Sequence, residues 1–187
     1  MKVLVVENDP IVQRGLSRTL RNWGATVLTA ATADGAIAQL NERPDLIILD
    51  VYLDNGGSGI CVAEQACAMR PSPLVVAISG HAGATEAFRL AQVGVCAYIP
   101  KPLDLEGFVA VIEALLEKPP EFVPHLLAHV GRSSYNTILE RVRQTMIEQA
   151  LAKTDGNRSH AAKMLEVSRQ AVQQMISNFE INMPNHK

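Results

Sequence analysis

The sequence predicts a doubly wound α/β domain with a five-stranded parallel sheet, followed by a small all-α domain. Five apolar runs of strand length alternate with five amphipathic helical patterns in the first part of the chain. After a proline-rich stretch the strand pattern stops and only helical periodicity continues. Strands that alternate with helices favour a parallel sheet that is covered by helices on both faces.

The individual elements of the α/β domain follow from these local patterns. Strands are predicted at 3–6, 26–30, 46–49, 74–78 and 97–99. Helices are predicted at 11–23, 33–42, 58–69, 84–93 and 105–117. In the first helix Ile11, Leu16 and Leu20 recur at helical spacing. Gly24 follows this helix at the place where a C-terminal cap belongs.

The stretch EKPPEFVPHLLAHVGRSS, residues 117–134, divides the chain. We assign 1–118 to the α/β domain, 119–134 to a linker and 135–187 to the helical domain. Residues up to Gly131 carry 9 Lys and Arg against 14 Asp and Glu, whereas those after it carry 8 against 5. An acidic first part and a basic second part predict different partners for the two domains.

The helical domain shows the spacing of a helix-turn-helix. A long helix with one broad apolar face is predicted at 136–153. A TDGN turn and a short helix near 159–165 follow it. Ser168 is then placed to cap a last helix that runs to about Phe179.

Composition and cysteine usage place the protein in a broad class. The chain has 187 residues, of which 48% are hydrophobic, and this content suits a globular protein. No apolar run has the length of a membrane span and no leader pattern precedes the first strand, so we expect a cytoplasmic protein without membrane contact. Cys61, Cys67 and Cys96 form no CxxC pair, which favours packing in a reducing compartment.

Polar side chains follow strands one, three, four and five of the predicted sheet. These residues are Glu7, Asn8, Asp9, Asp50, Ser79 and Lys101. Because the carboxyl ends of parallel strands meet at one edge, we expect them to converge there. Carboxylates held close together repel one another unless a cation lies between them, and their oxygens suit Mg²⁺. The sequence therefore predicts a magnesium site. The alternative is that each acid merely caps a helix or faces water, and Asp9 before Pro10 is a plausible N-cap.

Four motifs resemble the receiver domain of two-component response regulators over residues 1 to about 118. They are VLVVENDP, LIILDVYL, VVAISGHAG and AYIPKPL, in this order. The resemblance implies a flavodoxin-like receiver fold in which Asp50 accepts a phosphoryl group from a histidine kinase or phosphotransfer protein. It implies that Mg²⁺ is held by the cluster Glu7, Asn8 and Asp9 after strand one, by Asp50 and by the backbone carbonyl of Tyr52.

The same resemblance implies how phosphorylation is sensed. Lys101 and the hydroxyl of Ser79 would contact the phosphoryl oxygens. The ring of Tyr98 would then turn and carry the change to the surface of helix four, strand five and helix five. The alternative for Tyr98 is simple packing at a half-buried position.

The sequence departs from the receiver pattern at two places. Asn8 stands where the family usually carries an aspartate, so one metal ligand brings no charge. The loop DNGGSG, residues 54–59, has Asp54 where a proline is common, and its glycines predict a mobile rim. Two enzymes of related fold fit poorly: an FMN protein would need a phosphate cradle after strand one, and a dehalogenase-type phosphatase would carry its nucleophile on that strand.

The stretch ALAKTDGNRSHAAKMLEVSRQAV resembles the C-terminal domain of the factor for inversion stimulation and of nitrogen-regulator-type activators, over about 136–181. The resemblance implies a homodimer paired through the first helix, with the last helix in the major groove of double-stranded DNA. The candidate DNA contacts are Arg158, His160, Lys163, Arg169, Gln170, Gln173 and Gln174. No GxxxxGK[ST] loop is present, which argues against an ATPase.

Together the two resemblances predict a DNA-binding transcriptional regulator that is not an enzyme. The last helix, however, carries Arg169 as its one basic residue, and Glu180 stands where glycine is usual. The alternative is a receiver-containing signalling protein whose C-terminal helices only dimerise or bind protein partners.

Overall fold

The computed structural model describes residues 1–53, 58–80, 84–117 and 131–181. The chain divides into two compact units, Met1–Pro120 and Glu121–Lys187. Most of the predicted linker, residues 119–130, lies outside the described residues, so the exact domain bounds stay predictions. Within the described residues no helix combines the length and the hydropathy that crossing a bilayer requires.

The first unit contains the predicted five-stranded sheet. Its strands are β1 Lys2–Val6, β2 Thr26–Ala30, β3 Leu46–Asp50, β4 Leu74–Ser79 and β5 Ala97–Pro100. The order is β2-β1-β3-β4-β5, and every neighbouring pair is parallel. The predicted doubly wound α/β class is therefore confirmed. The carboxyl ends of all five strands meet along one edge, as this topology requires.

Five α-helices cover the sheet close to the predicted bounds. They are α1 Pro10–Asn22, α2 Ala33–Gln39, α3 Gly59–Ala68, α4 Ala84–Val93 and α5 Leu105–Glu117. The helix predicted at 33–42 is shorter, because its last turn tightens into a 3₁₀ helix at Leu40–Glu42 that ends on Arg43 at φ 50°. Gly24, at φ +96°, follows the C-cap of α1 as predicted.

The two faces of the sheet bury separate apolar clusters. Leu4 and Val6 of β1 pack toward the cluster that includes residues of α2 and α3. Val3 and Val5 pack toward α1 and α5, where Phe108 is almost fully buried. Alternate residues of one strand thus support opposite layers. This double burial anchors the end of β1, from which Glu7 emerges.

The described residues of the second unit, 131–181, form three helices. They are α6 Tyr135–Lys153, α7 Arg158–Met164 and α8 Arg169–Asn178. Ile147, Leu151, Ala161 and Val172 are fully buried at its centre. The small side chain of Ala161 permits close packing of α7. This architecture confirms the predicted helical region.

Gly59, the first residue of α3, packs against the backbone at the end of β3. A Cβ atom added there would clash with the carbonyl oxygen of Asp50, and it would lie 3.0 Å from Val51 Cα and 3.1 Å from Val51 O. The Gly59 amide donates to Val51 O at 3.1 Å, and Tyr52 pairs with Ser58 in an antiparallel bridge. Gly59 is therefore packed at the start of α3, whereas residues 54–57 lie outside the described residues and the mobile rim stays a prediction.

We expect Gly59→Ala to lower the free energy of unfolding of the first unit by about 1 to 3 kcal/mol, because the clash with backbone atoms forces α3 away from β3. Gly15→Ala is the matched control, since no atom lies within 4 Å of its added Cβ and Gly15 is inside α1. The control should raise stability by about 0.5 to 1 kcal/mol. Urea denaturation of the full chain measures both. Equal effects of the two variants would contradict the close packing of Gly59.

Candidate functional site

The carboxyl edge of the sheet brings together two carboxylates and one ammonium. Nζ of Lys101 lies 2.7 Å from Oε2 of Glu7 and 2.6 Å from Oδ2 of Asp50. Glu7 is 1% exposed and Asp50 is 5% exposed. These residues follow or end strands β1, β3 and β5, which confirms that they converge at one edge. A single cation therefore bridges two acids that are almost fully shielded from water.

Burial and pairing shift the ionisation of this cluster. Burial raises the pKa of Glu7 above its ordinary 4.5 more than the hydrogen bonds from Lys101 and the Asp9 amide lower it. Burial alone would lower the pKa of Lys101, but the hydrogen bonds to Asp50 and Glu7 hold it above the ordinary 10.5. Lys101 therefore stays charged at neutral pH. The stability that it contributes is present below pH 10.5 and is lost as the pH rises through its raised pKa.

The other carboxylate oxygens accept hydrogen bonds from the backbone. Oδ1 of Asp50 accepts from the Tyr52 amide at 3.0 Å, and Oε1 of Glu7 accepts from the Asp9 amide at 3.1 Å. The exposed Asp9 directs Oδ1 to the amides of Ile11, at 2.7 Å, and Val12, at 3.3 Å. Asp9 is thus the N-cap of α1, as in the alternative interpretation, and its role as a metal ligand stays a prediction.

The chemistry of the remaining donors fits a hard divalent cation. Glu7 and Asp50 supply two carboxylates that already share one positive charge. Asn8 follows Glu7 directly and is partly buried, and Tyr52 lies two residues beyond Asp50. Carboxylate, carboxamide and carbonyl oxygens are the ligands that Mg²⁺ prefers. In the described part of the chain, no three His, Cys, Asp or Glu side chains are grouped so that they could hold a metal ion. A magnesium site here would therefore also need Asn8 and a backbone carbonyl as ligands.

The two predicted switch residues are connected through one carbonyl group. Ser79 ends β4 and is 1% exposed. Its carbonyl oxygen accepts from the Lys101 amide at 2.8 Å and from the Tyr98 hydroxyl at 3.4 Å. Tyr98 is half-buried and also packs against the apolar cluster on its side of the sheet. Its ring is therefore linked to the backbone of both Ser79 and Lys101, in addition to its packing.

The structure adds two residues that the sequence analysis missed. Nε2 of Gln13 donates to the Glu7 carbonyl at 2.8 Å and to the Ala30 carbonyl at 3.1 Å, which ties α1 to the ends of β1 and β2. Gly59 supports the backbone of Asp50 and Val51. No periodicity marks Gln13, because its partners lie on two strands. The glycine-rich loop was visible, but which glycine is packed depends on the path of the chain.

In the second unit, all seven candidate DNA-contacting side chains are exposed. Arg169, Gln170, Gln173 and Gln174 lie on α8, and Arg158, His160 and Lys163 lie on α7. Residues at positions 169, 170, 173 and 174 share one face of α8, opposite the buried Val172. Nη1 of Arg158 donates to Oε1 of Gln173 at 2.7 Å. The helix-turn-helix spacing thus presents a connected polar surface.

The apolar stripe of α6 is covered only in part. Ile147 and Leu151, near its C-terminal end, are fully buried in the domain core. Tyr135 is 76% exposed and Met146 is 53% exposed, with the half-buried Val142 between them. Exposed apolar side chains on one face of a helix commonly mark a contact with another protein.

Comparison with known proteins gives matches for both units. The model of the response regulator receiver domain matches residues 3–113, and that of the bacterial regulatory protein, Fis family, matches residues 138–174. The nitrogen assimilation regulatory protein NtrX of Azorhizobium caulinodans is 31% identical over 117 residues, covering 62% of this chain and 26% of NtrX. This chain therefore spans about a quarter of the length of that relative.

Two further matches extend the comparison. The photosynthetic apparatus regulatory protein RegA of Rhodovulum sulfidophilum is 26% identical over 180 residues, which cover 94% of this chain and 90% of RegA. The crystal structure of the receiver domain of NtrX from Brucella abortus is 30% identical and superposes with a TM-score of 0.57. That match covers 62% of this chain and 98% of the other.

We expect Lys101→Met to lower the free energy of unfolding by about 3 kcal/mol at pH 7 in metal-free buffer, because it leaves two buried carboxylates without their cation. The pKa of Glu7 should rise further, so that the folded state binds a proton more tightly than the unfolded state does. The loss should therefore be smaller at pH 5 than at pH 7.

The matched control for this experiment is Lys2→Met, which breaks the more exposed ion pair of Lys2 with Glu42 at 3.3 Å. Its cost should stay below about 1 kcal/mol at both pH values. Chemical denaturation measured at the two pH values compares the variants. A Lys101→Met loss as small as the control, or one that grows toward pH 5, would disprove the bridging role.

Proposed function

Because this chain belongs to the family of the response regulator receiver domain, and its second unit matches the Fis family of bacterial regulatory proteins, we propose that it is a two-component response regulator that binds DNA. Asp50 is its phosphoacceptor, and a histidine kinase or a phosphotransfer protein is its phosphodonor. The observation that carries this proposal is the Lys101 ammonium between the buried carboxylates of Glu7 and Asp50. The protein acts in the cytoplasm as a signal carrier rather than as an enzyme.

Asp50 fits the role of nucleophile. Its carboxylate is directed at the cationic centre of the site and is fixed through both oxygens by Lys101 and the Tyr52 amide. In the transfer a carboxylate oxygen forms the new bond to phosphorus while the bond between phosphorus and the donor histidine breaks. When bound by Glu7, Asn8, Asp50 and the Tyr52 carbonyl, Mg²⁺ supplies charge neutralisation at the phosphoryl group.

Lys101 changes partners in this proposal. Before transfer, its ammonium neutralises Glu7 and Asp50. After transfer, Asp50 is an acyl phosphate, a mixed anhydride, and the negative charge lies on the phosphoryl oxygens. The Lys101 ammonium then pairs with those oxygens. The Lys101 amide and the Tyr98 hydroxyl share the carbonyl of Ser79. A displacement of Lys101 or Ser79 therefore changes the hydrogen bond that holds the Tyr98 ring. The movement of this ring transmits phosphorylation to the surface of the domain.

Asn8 sets the electrostatics of the metal site. A carboxamide oxygen can coordinate Mg²⁺ but contributes no negative charge. The raised pKa of Glu7 means that its buried carboxylate is costly to keep ionised. We therefore propose that this site binds Mg²⁺ with lower affinity than a site with two adjacent acids would. Before phosphorylation, Lys101 supplies much of the positive charge at the site.

We expect acetyl phosphate and Mg²⁺ to add one phosphoryl group to the full chain, and Asp50→Asn to abolish the addition. Asp45→Asn is the matched control, because Asp45 precedes β3 at the opposite edge of the sheet from Asp50. Its carboxylate accepts from the Lys2 amide at 2.6 Å and has no part in the cluster. Intact-mass spectrometry counts the groups. Phosphorylation that survives Asp50→Asn would refute the assignment.

The DNA-binding part of the proposal depends on α7 and α8. The seven candidate DNA-contacting side chains are exposed on these helices, and α8 is the helix that would enter the major groove. One short helix with a single arginine offers few contacts, so two copies are needed for useful affinity. The exposed apolar part of α6, with Tyr135 and Met146, is the surface that would pair them. The half-sites would then lie about 34 to 36 Å apart.

The competing proposal is that the C-terminal helices only dimerise or bind protein partners. It is favoured by the composition of α8, where Arg169 is the single basic residue. A pure interaction module needs the apolar part of α6 but has no need of exposed cations on α7. Binding of duplex DNA therefore separates the two proposals.

We expect the full chain to shift duplex DNA at low salt and to protect paired half-sites in a footprint on genomic fragments. Lys163→Ala should flatten the plot of log affinity against log salt by about 2 per dimer, since each lost phosphate contact removes about 0.9. Arg21→Ala, which removes an exposed cation of α1, is the control and should leave the slope unchanged. A dimer in solution that binds no duplex would establish the interaction module instead.

A further inference from the structure

The side chain of Gln173 is held by a residue of another helix. Nη1 of Arg158, the first residue of α7, donates to Oε1 of Gln173 on α8 at 2.7 Å. Both side chains are exposed, so burial does not impose this contact. In the part of the chain that the structure describes, no comparable hydrogen bond holds Gln170 or Gln174, the other glutamines of this surface. Gln173 is therefore the one of these three glutamines whose amide is hydrogen-bonded to another helix in the described residues.

The chemistry of the guanidinium decides which way the amide of Gln173 faces. An arginine side chain only donates hydrogen bonds, whereas a glutamine amide has one end that accepts and one end that donates. The atom that faces Arg158 must therefore be the carbonyl oxygen. A rotation of the amide by half a turn would direct its NH₂ group at a cation and lose the bond. The Nε2 group is thus left as the end available to a ligand.

A donor presented in this way discriminates between bases. In the major groove guanine offers acceptors at N7 and O6, and thymine offers O4, whereas cytosine offers the N4 amino donor. An NH₂ group can bond to the acceptors but not to the cytosine donor. A glutamine whose amide is free to rotate can direct its oxygen toward cytosine or its nitrogen toward guanine. It therefore does not distinguish strictly between these two bases.

We propose that Arg158 is a positioning residue that fixes the Gln173 amide with its NH₂ group outward, so that Gln173 selects an acceptor-bearing base and rejects cytosine at one position of each half-site. This inference rests on the proposed DNA-binding function and deepens it. The sequence analysis placed Arg158 among the candidate DNA contacts. In the structure one N–H group of Arg158 instead donates to the side chain of Gln173. Arg158 thus contributes to recognition by orienting the Gln173 amide.

The position of Gln173 suits a base reader. It lies one turn beyond Arg169, the first residue of α8, on the exposed face opposite the buried Val172. Residues of the first turns of a recognition helix are those that reach base edges. A side chain at such a place discriminates more strictly between a donor and an acceptor on a base when its own donor and acceptor ends are fixed. Arg158 supplies that restraint from the neighbouring helix.

The test uses the full chain and a pool of random-sequence duplexes from which the preferred site is selected. Affinities for that site and for versions with cytosine at each position of both half-sites are then measured by fluorescence anisotropy. The wild type should lose about tenfold per half-site on one cytosine substitution, the ordinary cost of a mismatched base pair. Arg158→Ala and Gln173→Ala should each remove this preference, and the double variant should remove no more than Gln173→Ala does.

Lys163→Ala is the matched control, because Lys163 is also an exposed cation of α7 but has no bond to α8 in the described structure. It should weaken binding to all duplexes alike and keep the preference against cytosine. If Arg158→Ala behaves in the same way, Arg158 is a plain phosphate contact and this inference is overturned while DNA binding stands. If no duplex is bound by the wild type, the proposed function and this inference fall together.

Discussion

The ammonium of Lys101 holds two carboxylates that would otherwise repel each other inside the protein. Glu7 and Asp50 arrive from different strands, and both are almost completely buried. Burial already raises the pKa of Glu7 even beside Lys101, so without a cation between the two carboxylates one of them would have to take up a proton. Because two buried carboxylates share a single positive charge, this site suits a ligand that changes the local charge. A divalent cation and a phosphoryl group are such ligands, which is why this contact is central to the proposed activity.

The fold positions this ion pair through parts that carry no charge. Gly59 lets α3 begin directly against the backbone of Asp50 and Val51, and Gln13 fixes the end of β1 to the end of β2. Asp9 stabilises the start of α1 instead of turning its bonded oxygen toward the cluster. In the acidic stretch after β1, Glu7 thus pairs with Lys101 while one oxygen of Asp9 caps α1.

The helical unit shows a similar division between core and surface. Its core is formed by a few small and branched residues, among them Ala161 and Val172, so that α7 and α8 lie close together. This close approach allows a side chain at the start of α7 to bond to the exposed face of α8. Arg158 and Gln173 are 15 residues apart in sequence, and only helix packing makes them neighbours. The surface is therefore organised by the same packing that stabilises the domain.

The sequence by itself determined the elements and the edge at which the polar residues meet. Buried strands need continuous apolar runs, amphipathic helices need a 3.6-residue period, and parallel strands place their carboxyl ends together. It could not determine that Asp9 would cap α1, which glycine of the loop would be packed, or that Arg158 would bond to Gln173. Those outcomes depend on distances of a few ångströms between atoms far apart along the chain, and only the tertiary structure fixes them.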